Sequence, residues 1–157
     1  MSFDLDEQYD KIYRYCYFKL HSRELAEDVT QETFLHYLEH YNCITTASAL
    51  NYLYTIARNL CVDEYRKPKT ESVDESMPDS AMEEELVRNL AVRRALSRLE
   101  PDQQELLLLR YVNEVPVSAL GKIYGLSRFA IYRKITSASN QLREELRKEG
   151  YHGSMEG

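Results

Sequence analysis

The sequence predicts an all-α protein made of two small helical domains joined by a flexible linker. Three observations carry that expectation. Apolar residues recur at intervals of three and four in both halves of the chain, and the every-second-residue alternation of a strand is essentially absent. Between the halves lies KPKTESVDESMPDSAMEEE (67–85), whose apolar residues are Val73, Met77, Ala81 and Met82 alone. So little apolar surface cannot offset the entropy lost on ordering. Glycine first occurs at Gly121, so most of the chain lacks the residue that opens tight turns of positive φ.

Helices are expected at 5–20, 23–41, 48–66, 82–98, 102–112, 117–124 and 128–148. The second contains EDVTQETFLHYLEH (27–40). Its apolar stripe is Ala26, Val29, Thr33, Phe34 and Tyr37, while Asp28, Gln31, Glu32, Leu35 and Glu39 face outward. A leucine ringed by acids suits a basic, partly apolar partner helix better than water. In the third helix Tyr52, Leu53, Ile56 and Leu60 are expected inside. Tyr54, Thr55, Arg58, Val62 and Tyr65 are expected outside, with Asn59 at the flank. The chain turns helical again near Met82. Pro101 opens the fifth helix, where the first turn needs no N–H, and Gly150 closes the last. The resulting domains are 1–66 and 86–150, with a linker at 67–85 and a tail at 151–157.

Charge and composition narrow the function. The net charge of −6 divides into −5 for 1–66, −5 for 67–85 and +4 for 86–157. Only the C-terminal part has the sign of a duplex-binding module. Without glycine, a phosphate-cradling loop or a dinucleotide-binding turn is excluded from the first two thirds of the chain. Cys16, Cys43 and Cys61 are an odd set at no ligand spacing, which fits buried, reduced thiols. The sequence holds no apolar run of about 18 residues and starts acidic, so neither a membrane span nor a signal peptide is expected, and the location expected is cytoplasmic. No cofactor and no enzymatic activity are expected.

The stretch PVSALGKIYGLSRFAIYRKITSASNQL (116–142) reads as a helix-turn-helix. That motif needs a small residue where the two helices cross, a positive-φ residue in the turn and a branched apolar residue midway along the second helix. Gly121, Gly125 and Ile131 meet those demands, and Ser127 is a suitable N-cap. Ile131, Ile135, Ala138 and Leu142 share one side of the second helix. The other side carries Phe129, Arg133, Thr136, Ser137 and Asn140, flanked by Arg128, Tyr132 and Lys134. Arginine can bond guanine edges bidentately, threonine and asparagine can read bases or phosphates, and phenylalanine can contact a thymine methyl.

His36-Tyr37-Leu38-Glu39-His40 matches the H-x-x-E-H pattern of one class of zinc peptidases. A peptidase also needs a third ligand and a substrate groove, and the sequence offers neither. The expectation here is no metal.

With both halves read, the chain resembles the extracytoplasmic-function (ECF) group of bacterial sigma factors, of the sigma-70 family. AEDVTQETF (26–34) and YLYTIARNLCVDEYRK (52–67) resemble that family's acidic docking helix and the helix after it. ALSRLEPDQQELLLLRYVNEV (95–115) leads into the helix-turn-helix as in its fourth conserved region. The resemblance implies a protein that binds core RNA polymerase through its clamp coiled coil and flap and directs initiation at particular promoters. It also implies restraint by an anti-sigma factor. On that basis Asp28, Gln31, Glu32, Leu35 and Glu39 would dock the polymerase. Arg58, Asn59, Tyr54 and Tyr65 would handle the minus-ten element, with Asn59 and the loop NCITTASAL (42–50) forming a pocket for a flipped base. Arg128, Phe129, Tyr132, Arg133, Thr136 and Ser137 would read the minus-thirty-five element.

Five positions depart from the family pattern. The usual Trp is Tyr52, the small Gly-Thr pair opening the recognition helix is Phe129-Ala130, and basic residues past its middle are Ser137 and Ser139. Fewer phosphate contacts imply weak, shallow-salt-slope binding to promoter DNA without polymerase. Two other readings fit the helical pattern: a helix-turn-helix regulator that never docks on polymerase, and a helical protein-binding adaptor.

Overall fold

The structure, a computed structural model, describes residues 4–67 and 90–150. The chain divides into two compact units, one built on its first three helices and the other on its last four. Seven α-helices and no strand occur among the described residues. The linker beyond Lys67, the first turns of the helix expected at 82–98, and the tail at 151–157 lie outside them.

In the first unit α1 (Leu5–Leu20), α2 (Arg23–Glu39) and α3 (Thr46–Arg66) pack against one another. Each start is fixed by a side-chain cap. Asp4 accepts from the Asp6 N–H at 3.0 Å, Ser22 from Leu25 at 3.2 Å and Thr45 from Ser48 at 3.2 Å. Small residues let the helices approach: Ala26, Ala49 and Ala57 are buried, as are Thr30 and Thr33. The two threonine hydroxyls donate back to the carbonyls of Ala26 (2.6 Å) and Val29 (2.8 Å), so their burial leaves no donor unmet. Between the small residues sit Ile12, Leu53 and the aromatic pair Tyr15–Tyr54, with ring centroids 5.9 Å apart and planes at 83°.

The expected helix at 23–41 ends at Glu39, and a single 3₁₀ turn, Tyr41–Cys43, leads into α3 two residues earlier than expected. Cys16 and Cys61 are buried, but Cys43 is exposed on that turn, against the expectation of three buried thiols. The 3₁₀ turn has no buried residue, so nothing draws the thiol inward.

The second unit contains α4 (Leu90–Ser97), α5 (Pro101–Leu107), α6 (Val117–Tyr124) and α7 (Arg128–Lys148). Pro101 is the first residue of α5, and the Gln103 side chain accepts from the Glu100 N–H at 3.2 Å. Leu106, Leu107, Leu108 and Leu109 are all buried. At 3.6 residues per turn, four consecutive positions sample every side of a helix, so this segment is surrounded by its neighbours. It runs into one π turn, Leu108–Val112, closed by the Asn113 N–H on the Leu108 carbonyl at 2.9 Å. The expected helix at 102–112 is thus an α-helix with a widened end.

The turn between α6 and α7 follows the sequence expectation. Gly125 has φ 69°, and the Gly121 carbonyl accepts from both Gly125 and Leu126. A Cβ on Gly121 would lie 2.8 Å from the Leu126 carbonyl oxygen. That contact is with backbone, so a methyl group there forces the turn itself to shift. Gly121→Ala is expected to destabilise the second unit by about 1–3 kcal/mol, seen as a lower urea midpoint by circular dichroism.

The end of α7 is clasped to α4. Arg98 lies 2.5 Å from the Glu149 carboxylate and 3.8 Å from Glu145, and Arg94 lies 3.4 Å from Glu149. The hydrogen bond from Arg98, helped by Arg94, holds the Glu149 carboxyl below its ordinary range. A lowered carboxyl stabilises the fold above the unfolded value of about 4.3 and loses that contribution as pH falls through the lowered value. The thermal midpoint of Glu149→Gln should therefore lie below wild type at pH 6, with the gap closing as pH falls below about 4.

Candidate nucleic-acid interface

Three surfaces carry the residues singled out by the sequence. The first is the outer side of α7. Ile131, Ile135 and Ala138 are buried and Leu142 half-buried, which fixes the helix's rotation. Arg128, Phe129, Tyr132, Arg133, Lys134, Thr136, Ser137 and Asn140 are consequently all exposed. Ser127 caps the helix, accepting from the Ala130 N–H at 3.1 Å. The surface so presented mixes cationic, hydroxyl and aromatic groups over about three turns, the chemistry that contacts base edges in a major groove.

The second surface surrounds a cavity of about 440 Å³ where the 3₁₀ turn meets the first half of α3. His40, Cys43 and Ile44 line it from the 3₁₀ turn and its flanks, and Ser48, Asn51, Tyr52, Thr55 and Ile56 from α3. The Thr55 hydroxyl donates to the Asn51 side-chain oxygen at 3.3 Å. The Tyr52 hydroxyl donates to the His36 carbonyl at 3.2 Å and lies 3.2 Å from His40 Nδ1. An aromatic wall, an apolar floor and one amide suit a planar heterocycle.

The residues expected around this site divide. Asn59 is exposed, two turns beyond Asn51 on the same stripe of α3, and is not among the cavity's lining residues. Arg58 is half-buried. Tyr65 is exposed, and its hydroxyl donates to the Lys19 carbonyl, tying α3 to α1. Tyr54 is only 1% exposed and belongs to the core. The expectation that Tyr54 faces outward is corrected: the buried stripe is Ala49, Leu53, Tyr54, Ala57 and Cys61, turned by about one residue from the expected one. Tyr52, Ile56 and Leu60, expected inside, are half-buried. Asn51 and Thr55 are the polar groups that sequence reasoning missed, although their i, i+4 spacing to Asn59 carries the signal.

The third surface is the outside of α2. Asp28, Gln31, Glu32, Leu35 and Glu39 are all exposed, Leu35 by 59%. Leu38, 57% exposed, extends the apolar strip and was not anticipated. His36 sits within it, its ring nitrogens 3.7 Å from Glu32 and 4.0 Å from Glu39. His40 Nδ1 instead lies 3.0 Å from the His36 carbonyl, so the two imidazoles of the H-x-x-E-H stretch have separate partners.

These surfaces fall on two segments that match described families. The family model for sigma-70 region 2 matches residues 5–70, and that for sigma-70 region 4 matches residues 95–144. The chain belongs to the sigma-70 family, in its ECF group. Among its sigma-factor relatives, the ECF RNA polymerase sigma factor BldN of Streptomyces coelicolor is 30% identical over 160 residues, covering 90% of this chain. The chain spans 60% of the length of BldN. The ECF RNA polymerase sigma factor SigW of Bacillus subtilis is 26% identical, covering 88% of this chain and 84% of SigW. The fold is shared with the sigma factor RpoE of Bartonella quintana, solved in complex with the anti-sigma factor NepR. That match has a TM-score of 0.63 at 19% identity and covers 88% of this chain and 91% of RpoE. The α2 and α3 surfaces thus lie within region 2, and the α7 surface within region 4. No helix among the described residues is long and apolar enough to cross a membrane.

Proposed function

We propose that this chain is a sigma factor: it binds core RNA polymerase, directs transcription initiation at a specific set of promoters and is restrained by an anti-sigma factor. The observation that carries this reading is the pairing of an exposed acidic, leucine-centred face in region 2 with an exposed cationic and aromatic helix in region 4. A protein that only bound duplex DNA would gain nothing from the first face, which repels phosphate.

In the proposed mechanism Asp28, Gln31, Glu32, Leu35 and Glu39 dock on the clamp coiled coil of the polymerase, where their charge meets a basic, partly apolar helix. Region 4 reaches the polymerase flap and holds the minus-thirty-five element in duplex form through Arg128, Phe129, Tyr132, Arg133, Thr136 and Ser137. At the minus-ten element one base leaves the stack, at a cost of a few kcal/mol. The cavity beside α3 returns that cost by stacking on Tyr52 and hydrogen bonding to Asn51, while Asn59, Arg58 and Tyr65 flank the strand. The chain supplies recognition rather than bond chemistry, which belongs to the polymerase, and it works in the cytoplasm, where promoters are.

Run-off transcription with core polymerase tests the proposal. Promoter-dependent transcripts are expected only when the chain is added. Binding to polymerase without initiation would instead identify an adaptor, and tight sequence-specific DNA binding without polymerase a simple regulator.

A further inference from the structure

We propose that Phe129 is a specificity-determining residue of this chain, reading the C5-methyl group of one thymine in the upstream promoter element beside the base pair that Arg133 contacts. The inference rests on the reading of α7 as the duplex-recognition helix and goes further by assigning a base to a residue.

Phe129 is the second residue of α7 and is 73% exposed, more than any other large apolar side chain among the described residues. The fold does not use it: the buried side of the helix begins at Ile131 and continues through Ile135 and Ala138. A phenyl ring held in water at the leading end of a helix has a driving force to be covered, at roughly 25 cal/mol per Å² of apolar surface. Its surroundings say by what. Tyr132 and Arg133 follow at i+3 and i+4, both exposed, so the three side chains share one face, and that face continues into Thr136 and Ser137.

Helices that enter a major groove contact bases with their N-terminal residues, and side chains three or four positions apart reach successive bases. The apolar feature of a major-groove edge is the thymine methyl. A ring at this position also changes how the helix start meets the duplex. The Ala130 N–H is already bonded to the Ser127 hydroxyl and the Ile131 N–H to the Ser127 carbonyl, so these first-turn donors are taken, and the exposed ring adds apolar surface at the same turn. On this face the first cation after the ring is Arg133, one turn later.

The test uses the full chain bound to core polymerase. Duplexes are selected from a randomised upstream-element library, and each thymidine of the selected element is then replaced singly by deoxyuridine, which removes the methyl group alone. One replacement, adjacent to a guanine-bearing pair, is expected to weaken promoter binding about fourfold, the effect of one buried methyl. In Phe129→Ala the same replacement should have no effect, while helicity by circular dichroism is unchanged.

The proposal is overturned if wild type is indifferent to every replacement, if Phe129→Ala keeps the same penalty, or if the selected element has no such thymidine. Arg133→Ala separates the levels. An altered base preference in that variant with a flat deoxyuridine scan removes Phe129 and leaves the recognition helix standing. An unaltered preference removes the recognition helix as well.

Discussion

Tyr54→Ala is expected to lower the stability of the N-terminal bundle by about 3–5 kcal/mol, the range for truncating a buried aromatic. The ring is 1% exposed and meets Tyr15 edge-on at 5.9 Å, with Leu53 and Ala57 beside it in the buried stripe. Removing it leaves a cavity lined by side chains from α1 and α3, and Ala49, Ala57 and Cys61 are too small to fill the space. Urea titration followed by circular dichroism reads the loss. Tyr54→Phe keeps the ring and should cost no more than about 1–3 kcal/mol, the range for a buried hydroxyl and its partner. A variant Tyr54→Ala with unchanged stability and defective promoter opening would return this residue to the DNA-binding surface.

The double variant Leu35→Ala/Leu38→Ala is expected to do the reverse, sparing stability and removing function. Both side chains are more than half exposed, so truncating them takes little from the folded state. Burying two leucines against a partner helix contributes about 1.5 kcal/mol or more apiece. Allowing for the part already covered in the free protein, the double variant should bind core polymerase weaker by about 2–3 kcal/mol, roughly 30- to 150-fold. Competition binding to core polymerase checks the number, and an unchanged urea midpoint checks that the fold is intact. Equal affinity of variant and wild type would remove the α2 face from the docking site. Charge on Asp28, Glu32 and Glu39 contributes differently: it acts on association and is screened by salt, so affinity should fall as ionic strength rises in both proteins.

How far these outcomes were legible beforehand differs between helices. On α7 the charged and apolar residues separate cleanly, so one rotation of the helix is far better than any other, and every expected outward residue is exposed. The turn before it was legible because Gly121 and Gly125 answer two local demands, a close backbone approach and φ 69°. On α3 the pattern is ambiguous. Tyr52, Leu53, Tyr54, Ile56, Ala57, Leu60, Cys61 and Val62 put apolar groups on almost every side, and periodicity cannot choose among faces that are all apolar. The choice fell to Tyr15 on α1, whose ring fits Tyr54, and to the small residues Ala49 and Ala57, which admit close neighbours. That same rotation brought Asn51 and Thr55 to the cavity and left Asn59 beyond its rim.

The sequence by itself determined which segments are helices, where caps and glycines stop them, the uneven charge along the chain and the two faces that are costly to bury. These are local properties, set by side-chain period, hydrogen-bonding ends and net charge within a few turns. Only the tertiary structure decided which tyrosine fills the core, where a cavity opens beside α3, and that Leu38 joins Leu35 on the surface. Those outcomes depend on the shapes of side chains meeting from different helices, and an apolar residue's preference for burial does not say which of several available neighbours will cover it.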